Sequence, residues 1–276
     1  MGTIPCWQRL FPYRMNAAKF YPPYLRWLRN LSERLGLNNA ISLWEDVISK
    51  NCDALLTDIL SSGWIKTASG EIAPEASIRE MVAEALLATI PELSSVEIET
   101  LIENTPPIRQ IKERFSYFTV EKEITAYEAL HLRFDHLAYL AEAIIKKYGK
   151  QGELIVYDIL VEERLASSRG ERGSVEEFIE TFIAKPETPN LITAGLETEL
   201  ISRTKREAIL YVRECEWARY YQERHPQVGY LMACSTDEVA YKAFNPDLRM
   251  QRTQTLMEGG EMCDFKVFAI NTTPPG

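Results

Sequence analysis

Ten residues near the end of this chain carry most of its chemical potential: Cys215, Glu216, Cys234, Asp237, Asn245, Arg252, Thr253, Thr255, Cys263 and Asp264. Cys215 ends the run AILYVREC and Cys234 ends VGYLMAC, so each thiol is expected at a strand-to-helix junction. Helix N-terminal amides at such a junction lower a thiol's pKa. Asp237 follows within a turn, so a thiol and a carboxylate can face one opening with backbone amides nearby. Arg252 falls in an expected strand, on the same face as Met250, Gln254 and Leu256. These residue types suit acid–base or nucleophilic chemistry. Cys234, Asp237, Arg252 and Thr255 are the candidate catalytic residues. Asp237 or a cysteine thiolate would deliver or activate the nucleophile, and Thr255 with Asn245 would hydrogen-bond a developing polar intermediate. Cys215, Cys263 and Asn245 are candidate substrate contacts. Each also has a plainer role: buried cysteines act as small hydrophobes, Asp237 caps its helix, and Arg252 pairs with a nearby acid.

The spacings between Cys215, Cys234 and Cys263 are 19 and 29 residues, which match no common zinc pattern. No metal and no cofactor is therefore expected. A Cys–His pair would have to draw on His131, His136 or His225, the three histidines of the chain. Further upstream, Leu130, Leu137, Leu140 and Ile144 bracket Arg133 on a helical wheel, which predicts an inward-pointing guanidinium. That group would either anchor an anionic ligand or close an internal salt bridge. His131 and His136 flank it, and Arg133 and His136 join the candidate substrate contacts. No phosphate-binding loop, dinucleotide fingerprint, G-x-S-x-G or H-E-x-x-H occurs, which removes the commonest nucleotide, lipase-like and zinc-protease chemistries.

The elements that must position these residues follow from pattern. Ser77…Glu80, Ser94…Glu97, Thr125…Glu128 and Ser174…Glu177 read as capping boxes, each opening an apolar-periodic run. Helices are expected from Pro23 to Leu35 with Gly36 as cap, over about 40–60, from Pro106 to about 117, over 126–148 ahead of Gly149, and over 153–165. Residues 1–22 show little periodicity and read as an irregular arm. Residues 167–173 form a polar loop, and Pro186 and Pro189 flank a linker. Beyond it come a strand at 208–212, a helix at 215–224, a strand at 229–233, a helix at 236–244, and two strands, 249–257 and 263–270, around a turn at Glu258-Gly259-Gly260-Glu261. The pattern is α+β: a mostly helical portion over 1–185 packed against a mixed portion over 186–276 that ends in a β-hairpin, with a single compact domain as the alternative.

Composition sets the frame. The chain has 276 residues with 40 acidic against 31 basic side chains, a net charge of −9, and no basic cluster, so a nucleic-acid partner is not expected. No apolar run approaches the roughly 18 residues of a membrane span, and the first residues lack a secretory-signal pattern. Five cysteines, an odd number at wide spacing, suit reduced thiols in the cytoplasm. Asn271-Thr272-Thr273 then matches the glycosylation triplet by chance.

The C-terminal run resembles the L-2-amino-thiazoline-4-carboxylic acid hydrolase family. The resemblance rests on Glu214-Cys215, Cys234-x-x-Asp237, Phe244-Asn245-Pro246 and above all the block RTQTLMEGGEMCDFKV from Arg252. The segment from His131-Leu132-Arg133 to Gly149 resembles the family's central helix, and the likeness covers about residues 125–270. It implies a small cytosolic enzyme that opens a cyclic amidine-like C–N or C–S ring with water. A weaker likeness, in the Gly-Gly turn and following Cys, is to ligand-binding domains of the 4-vinyl-reductase type. Some of those carry zinc, but here Arg252 and Thr255 stand where a zinc-binding version has Glu and Cys. The expected function is a cofactor-independent hydrolase acting on a small heterocyclic or carboxylated metabolite. The alternatives are a cyclase or isomerase of secondary metabolism and a non-catalytic small-molecule-binding module.

Overall fold

A computed structural model describes residues 5–16, 26–27, 29–36, 38–40, 42–43, 65–67, 118–167, 174–183 and 191–270. It is an α+β protein that divides into two compact units. One comprises residues 1–12, 123–131 and 156–276, the other 13–122 and 132–155. No described helix is long and apolar enough to cross a membrane.

Strands β1 (Leu10–Asn16), β2 (Ile65–Thr67) and β3 (Phe118–Thr125) form a three-stranded sheet in the order β1-β3-β2. β2 and β3 run antiparallel, with Ile65 opposite Val120 and Thr67 opposite Phe118. This corrects the irregular arm expected over residues 1–22. Pro12 disguises β1, but an edge strand tolerates a proline because its N–H would go unpaired there. Residues 29–35 are helical, and Gly36 ends them at φ 82° with its N–H on Ser32 O.

Helix α1 (Ala126–Tyr148) has the bounds its pattern predicts. Glu128 N–H donates to Thr125 Oγ1 at 3.2 Å, and Thr125 N–H donates to Glu128 Oε2 at 2.7 Å. Gly149, at φ 56°, ends the helix, and α2 (Lys150–Ser167) follows. The Ser174–Glu177 box opens α3 (Val175–Ile183) in the same way. The expected boxes at Ser77 and Ser94, the helices over 40–60 and 106–117, and the prolines at 186 and 189 lie outside the described residues, apart from positions 40, 42 and 43.

A short helix, α4 (Leu191–Gly195), leads into a four-stranded antiparallel sheet of order β4-β5-β7-β6. Its strands are β4 (Leu196–Arg203), β5 (Glu207–Cys215), β6 (Leu248–Gln251) and β7 (Cys263–Ala269). Alternation along β5 sends Ala208, Leu210 and Val212 inward. There Ala208 and Leu210 meet Val175, Phe178 and Ile179 of α3, Tyr241, Leu248 and Val267. The Phe178 ring lies 4.4 Å from that of Tyr241 and 5.0 Å, edge-on, from that of Phe244. Helices α5 (Glu216–Arg224) and α6 (Asp237–Phe244) match their expected positions.

Two expectations here are corrected. Residues 229–233 are not a strand. Tyr230–Cys234 is a π-helical turn, closed by Ser235 N–H on Tyr230 O at 2.9 Å. A short apolar run reads equally as buried strand or buried helix, and tertiary contact decides. Gly229, at its start, leaves no room for a side chain: a Cβ would lie 2.8 Å from both Met257 Sδ and Tyr221 Cβ. The hairpin is the second correction. β6 and β7 pair as expected, Leu248 opposite Ala269 and Gln251 opposite Lys266. The connection, however, spans 252–262 and holds a 3-10 turn, Leu256–Glu258. Gly259 takes the left-handed conformation at φ 85°. Gly260 instead meets a close approach, since a Cβ there would lie 2.9 Å from Thr255 O.

Candidate functional site

The sheet unit brings Asp237 and Arg252 together. Asp237 is the first residue of α6, where the helix N-terminus favours a carboxylate. Arg252 directly follows β6. Its Nη1 donates to Asp237 Oδ2 at 2.7 Å. Its Nη2 donates to Tyr230 Oη at 3.2 Å and to Cys234 O at 3.3 Å. Aromatic rings flank the guanidinium, with centroids 5.7 Å (Tyr230) and 5.3 Å (Phe265) from Cζ. The Arg252 side chain is only 8% exposed and that of Asp237 23% exposed, so the pair is largely removed from water.

Cys234, at the end of the π turn, lies in electrostatic reach of Asp237 and Arg252, with Cys215 and Cys263 further partners. The predicted low thiol pKa values are corrected. Burial, with Asp237 beside it, pushes Cys234 well up. Burial pushes Cys215 up to about 12 although Ala218 N–H donates to its Sγ at 3.4 Å. Burial also raises Cys263, whose Sγ accepts from Leu256 N–H at 3.3 Å. Removing a thiolate from water costs more than one long N–H···S contact returns. Cys215 does stand at a strand-to-helix junction, as the N-cap of α5, whereas Cys234 joins two helical segments. Burial also raises Asp237, against the pull of Arg252 and of Arg164 on α2. Arg164, an exposed residue, donates from Nε to Thr236 Oγ1 at 3.3 Å. All three thiols and Asp237 therefore favour their neutral forms more than the free side chains do.

The remaining candidates take local tasks. The Thr255 hydroxyl is buried, donating to Glu258 Oε2 at 2.8 Å and accepting from Glu258 N–H at 3.1 Å. Asn245 Oδ1 accepts from Asp247 N–H at 2.9 Å. Glu216 turns to the amino-terminal turn Cys6–Gln8: its Oε1 is 4.0 Å from Cys6 Sγ and 3.7 Å from Arg219 Nη1. Only 2% exposed, it is raised by burial, and its Oε2 has no hydrogen-bond partner among the described residues. Arg133 and His136 lie in the other unit. Arg133 is exposed, correcting the inward guanidinium: its long stem carries the charge out of the apolar stripe, and Cζ sits 5.3 Å from the Phe134 centroid. The His136 side chain lies outside the described residues. His225 is buried beside Tyr220 and Tyr221. Among the described residues, no three His, Cys, Asp or Glu side chains are grouped to hold a metal ion.

Sequence reasoning missed Tyr230 and Phe265, the two rings on Arg252, because neither carries a charge to draw attention. It also missed the task of Asp264, although that residue follows Cys263 in the densest motif. Its Oδ1 accepts from Thr253 N–H at 2.9 Å and Gln254 N–H at 2.8 Å, and its Oδ2 from the Thr253 hydroxyl at 2.5 Å.

No curated protein and no solved structure matches the chain. The family model of L-2-amino-thiazoline-4-carboxylic acid hydrolase matches residues 126–267, about half of the 276-residue chain. That span contains the Asp237–Arg252 pair, the three thiols around it and the loop that carries Arg252, and the chain belongs to this hydrolase family.

Proposed function

We propose that the chain opens a cyclic amidine-like C–N bond in a small, carboxylated heterocyclic metabolite, using water. The observation that carries this reading is the 2.7 Å Asp237–Arg252 pair, largely buried in electrostatic reach of Cys234. Asp237 is the general base: burial raises its pKa, which strengthens it as a proton acceptor near neutral pH. It takes a proton from water as the oxygen attacks the amidine carbon. The ring C–N bond then breaks, and the departing nitrogen receives that proton back from Asp237. Arg252 holds the carboxylate in place and pulls toward its ionised form, against the effect of burial. The thiols of Cys234, Cys215 and Cys263 stay neutral and surround the reacting ring. Burial has raised all three, which disfavours a resting thiolate nucleophile. Thr255 enters as a positioning residue, because its hydroxyl is committed to Glu258.

The test is to incubate the protein with L-2-amino-thiazoline-4-carboxylate and related cyclic amidines and to follow ring loss by mass spectrometry. Turnover is expected, and Asp237→Asn should lower it by about 100-fold or more, the usual range for a general base. Binding of a probe without turnover would support the binding-module alternative. Full turnover by Asp237→Asn would remove the base from this site.

A further inference from the structure

The connection from β6 to β7 is held by its own side chains, by Cys263 and Asp264 of β7, and by Gln222 of α5, whose Nε2 donates to Leu256 O at 2.8 Å. Thr255 and Glu258 cap its 3-10 turn, Gln254 Oε1 accepts from Glu261 N–H at 3.2 Å, and Cys263 Sγ accepts from Leu256 N–H. Asp264 differs from these in where it acts. Its carboxylate, on the second residue of β7, takes both backbone N–H groups and the hydroxyl directly after Arg252. Backbone held at 253 and 254 fixes the start of the Arg252 side chain. From there the guanidinium reaches Asp237, Tyr230 and Cys234 O.

We propose that Asp264 is a positioning residue of this site: its carboxylate ties the backbone after Arg252 to β7 and so aims the guanidinium at Asp237. Asp264 touches no reacting atom. The inference rests on the reading that Asp237 and Arg252 form the working pair. Burial works against the Asp264 charge, yet hydrogen bonds from Thr253 and Gln254 hold its carboxyl below the ordinary value, as expected for an anion engaged by several donors.

The primary measurement needs no substrate. The protein is labelled with 13C at aspartate side chains, and the Asp237 carboxyl is titrated by NMR, its resonance assigned by its loss in Asp237→Asn. Asp237 faces Arg252, Arg164 on α2, Cys234, Cys215, Cys263 and, on its own helix, Tyr241. Of these, only Arg252 is carried by the loop that Asp264 holds. An opposite charge at contact lowers a carboxyl by about 1–3 units, so partial release of Arg252 in Asp264→Ala should raise the Asp237 midpoint by at least about 0.5 unit. Asp264→Asn keeps one acceptor oxygen and should raise it less, by about 0.3 unit or more. Thr253→Val, which loses one hydroxyl contact, should fall between Asn and wild type. If Asp264→Ala does not fold, Asp264→Asn carries the test alone. An Asp237 midpoint unmoved in the folded variants overturns the proposal. Loss of activity in Asp264→Asn with that midpoint unmoved also overturns it, because the effect would then be structural. Full activity in Asp237→Asn overturns the functional reading instead, which keeps the two failures apart.

Discussion

Replacing Arg252 with methionine keeps much of the stem and removes the charge. The structure sets the size of the effect. A fully buried pair that loses one partner costs about 3–5 kcal/mol, while an exposed pair is worth about 0–1 kcal/mol. With the two side chains 8% and 23% exposed, the Asp237–Arg252 pair lies nearer the first case, about 2–3 kcal/mol. Losing the donor to Cys234 O adds about 1 kcal/mol. The expected loss at pH 7.5 is therefore about 3–4 kcal/mol, and it should depend on pH. In the variant, the uncompensated Asp237 carboxyl rises still further above its unfolded value. A group with a raised folded pKa contributes stability below the unfolded value and loses it as pH rises through the folded one. The gap between wild type and variant should therefore widen from pH 5 to pH 8. Hydrogen exchange of the β5 and β7 amides, which lie in the sheet unit, measures it. In a double-mutant cycle, Asp237→Asn should absorb most of the cost, since the stranded charge is then gone. A loss below about 0.5 kcal/mol, a size typical of exposed pairs, or one that shrinks with rising pH, would refute the reasoning.

Three other outcomes follow from separate features. Gly259→Ala should destabilise by about 1–2 kcal/mol, the cost of a left-handed alanine, and an unchanged melting temperature would contradict the φ of 85°. The thiols of Cys215, Cys234 and Cys263 should react with iodoacetamide at pH 7.5 at least about tenfold more slowly than a free thiol, because burial raises each pKa; peptide mass spectrometry reads the sites, and rapid labelling of Cys234 in the folded protein would count against it. Glu216→Gln should stabilise the protein more at pH 8 than at pH 5: the raised folded pKa means the wild-type carboxyl loses stability as pH rises from its ordinary range through the folded value, and the amide has no such step. Urea unfolding at the two pH values decides it.

What the sequence made legible was local. Helix α1 could be bounded because Thr125 with Glu128 and then Gly149 mark its ends chemically, and β5 because alternate residues face a core. The π turn and β1 were hidden because a short apolar run and a strand containing Pro12 take their form from what packs beside them. Arg133 shows the same limit: its wheel position was right for burial, but a long charged stem can leave an apolar face. At the site, the identities of Cys234, Asp237 and Arg252 were legible and their electrostatics were not. Cys215 does cap a helix N-terminus, and there burial outweighs the amides. The block after Arg252 carries the densest resemblance, and its residue types suggested chemistry. In the folded chain Thr255, Glu258, Gly259, Cys263 and Asp264 spend their polar atoms or backbone freedom on the loop itself. A motif of this kind specifies a frame. Its chemical consequence is the placement of one guanidinium on a carboxylate 15 residues earlier in the chain, a pairing set by strand register and loop shape together.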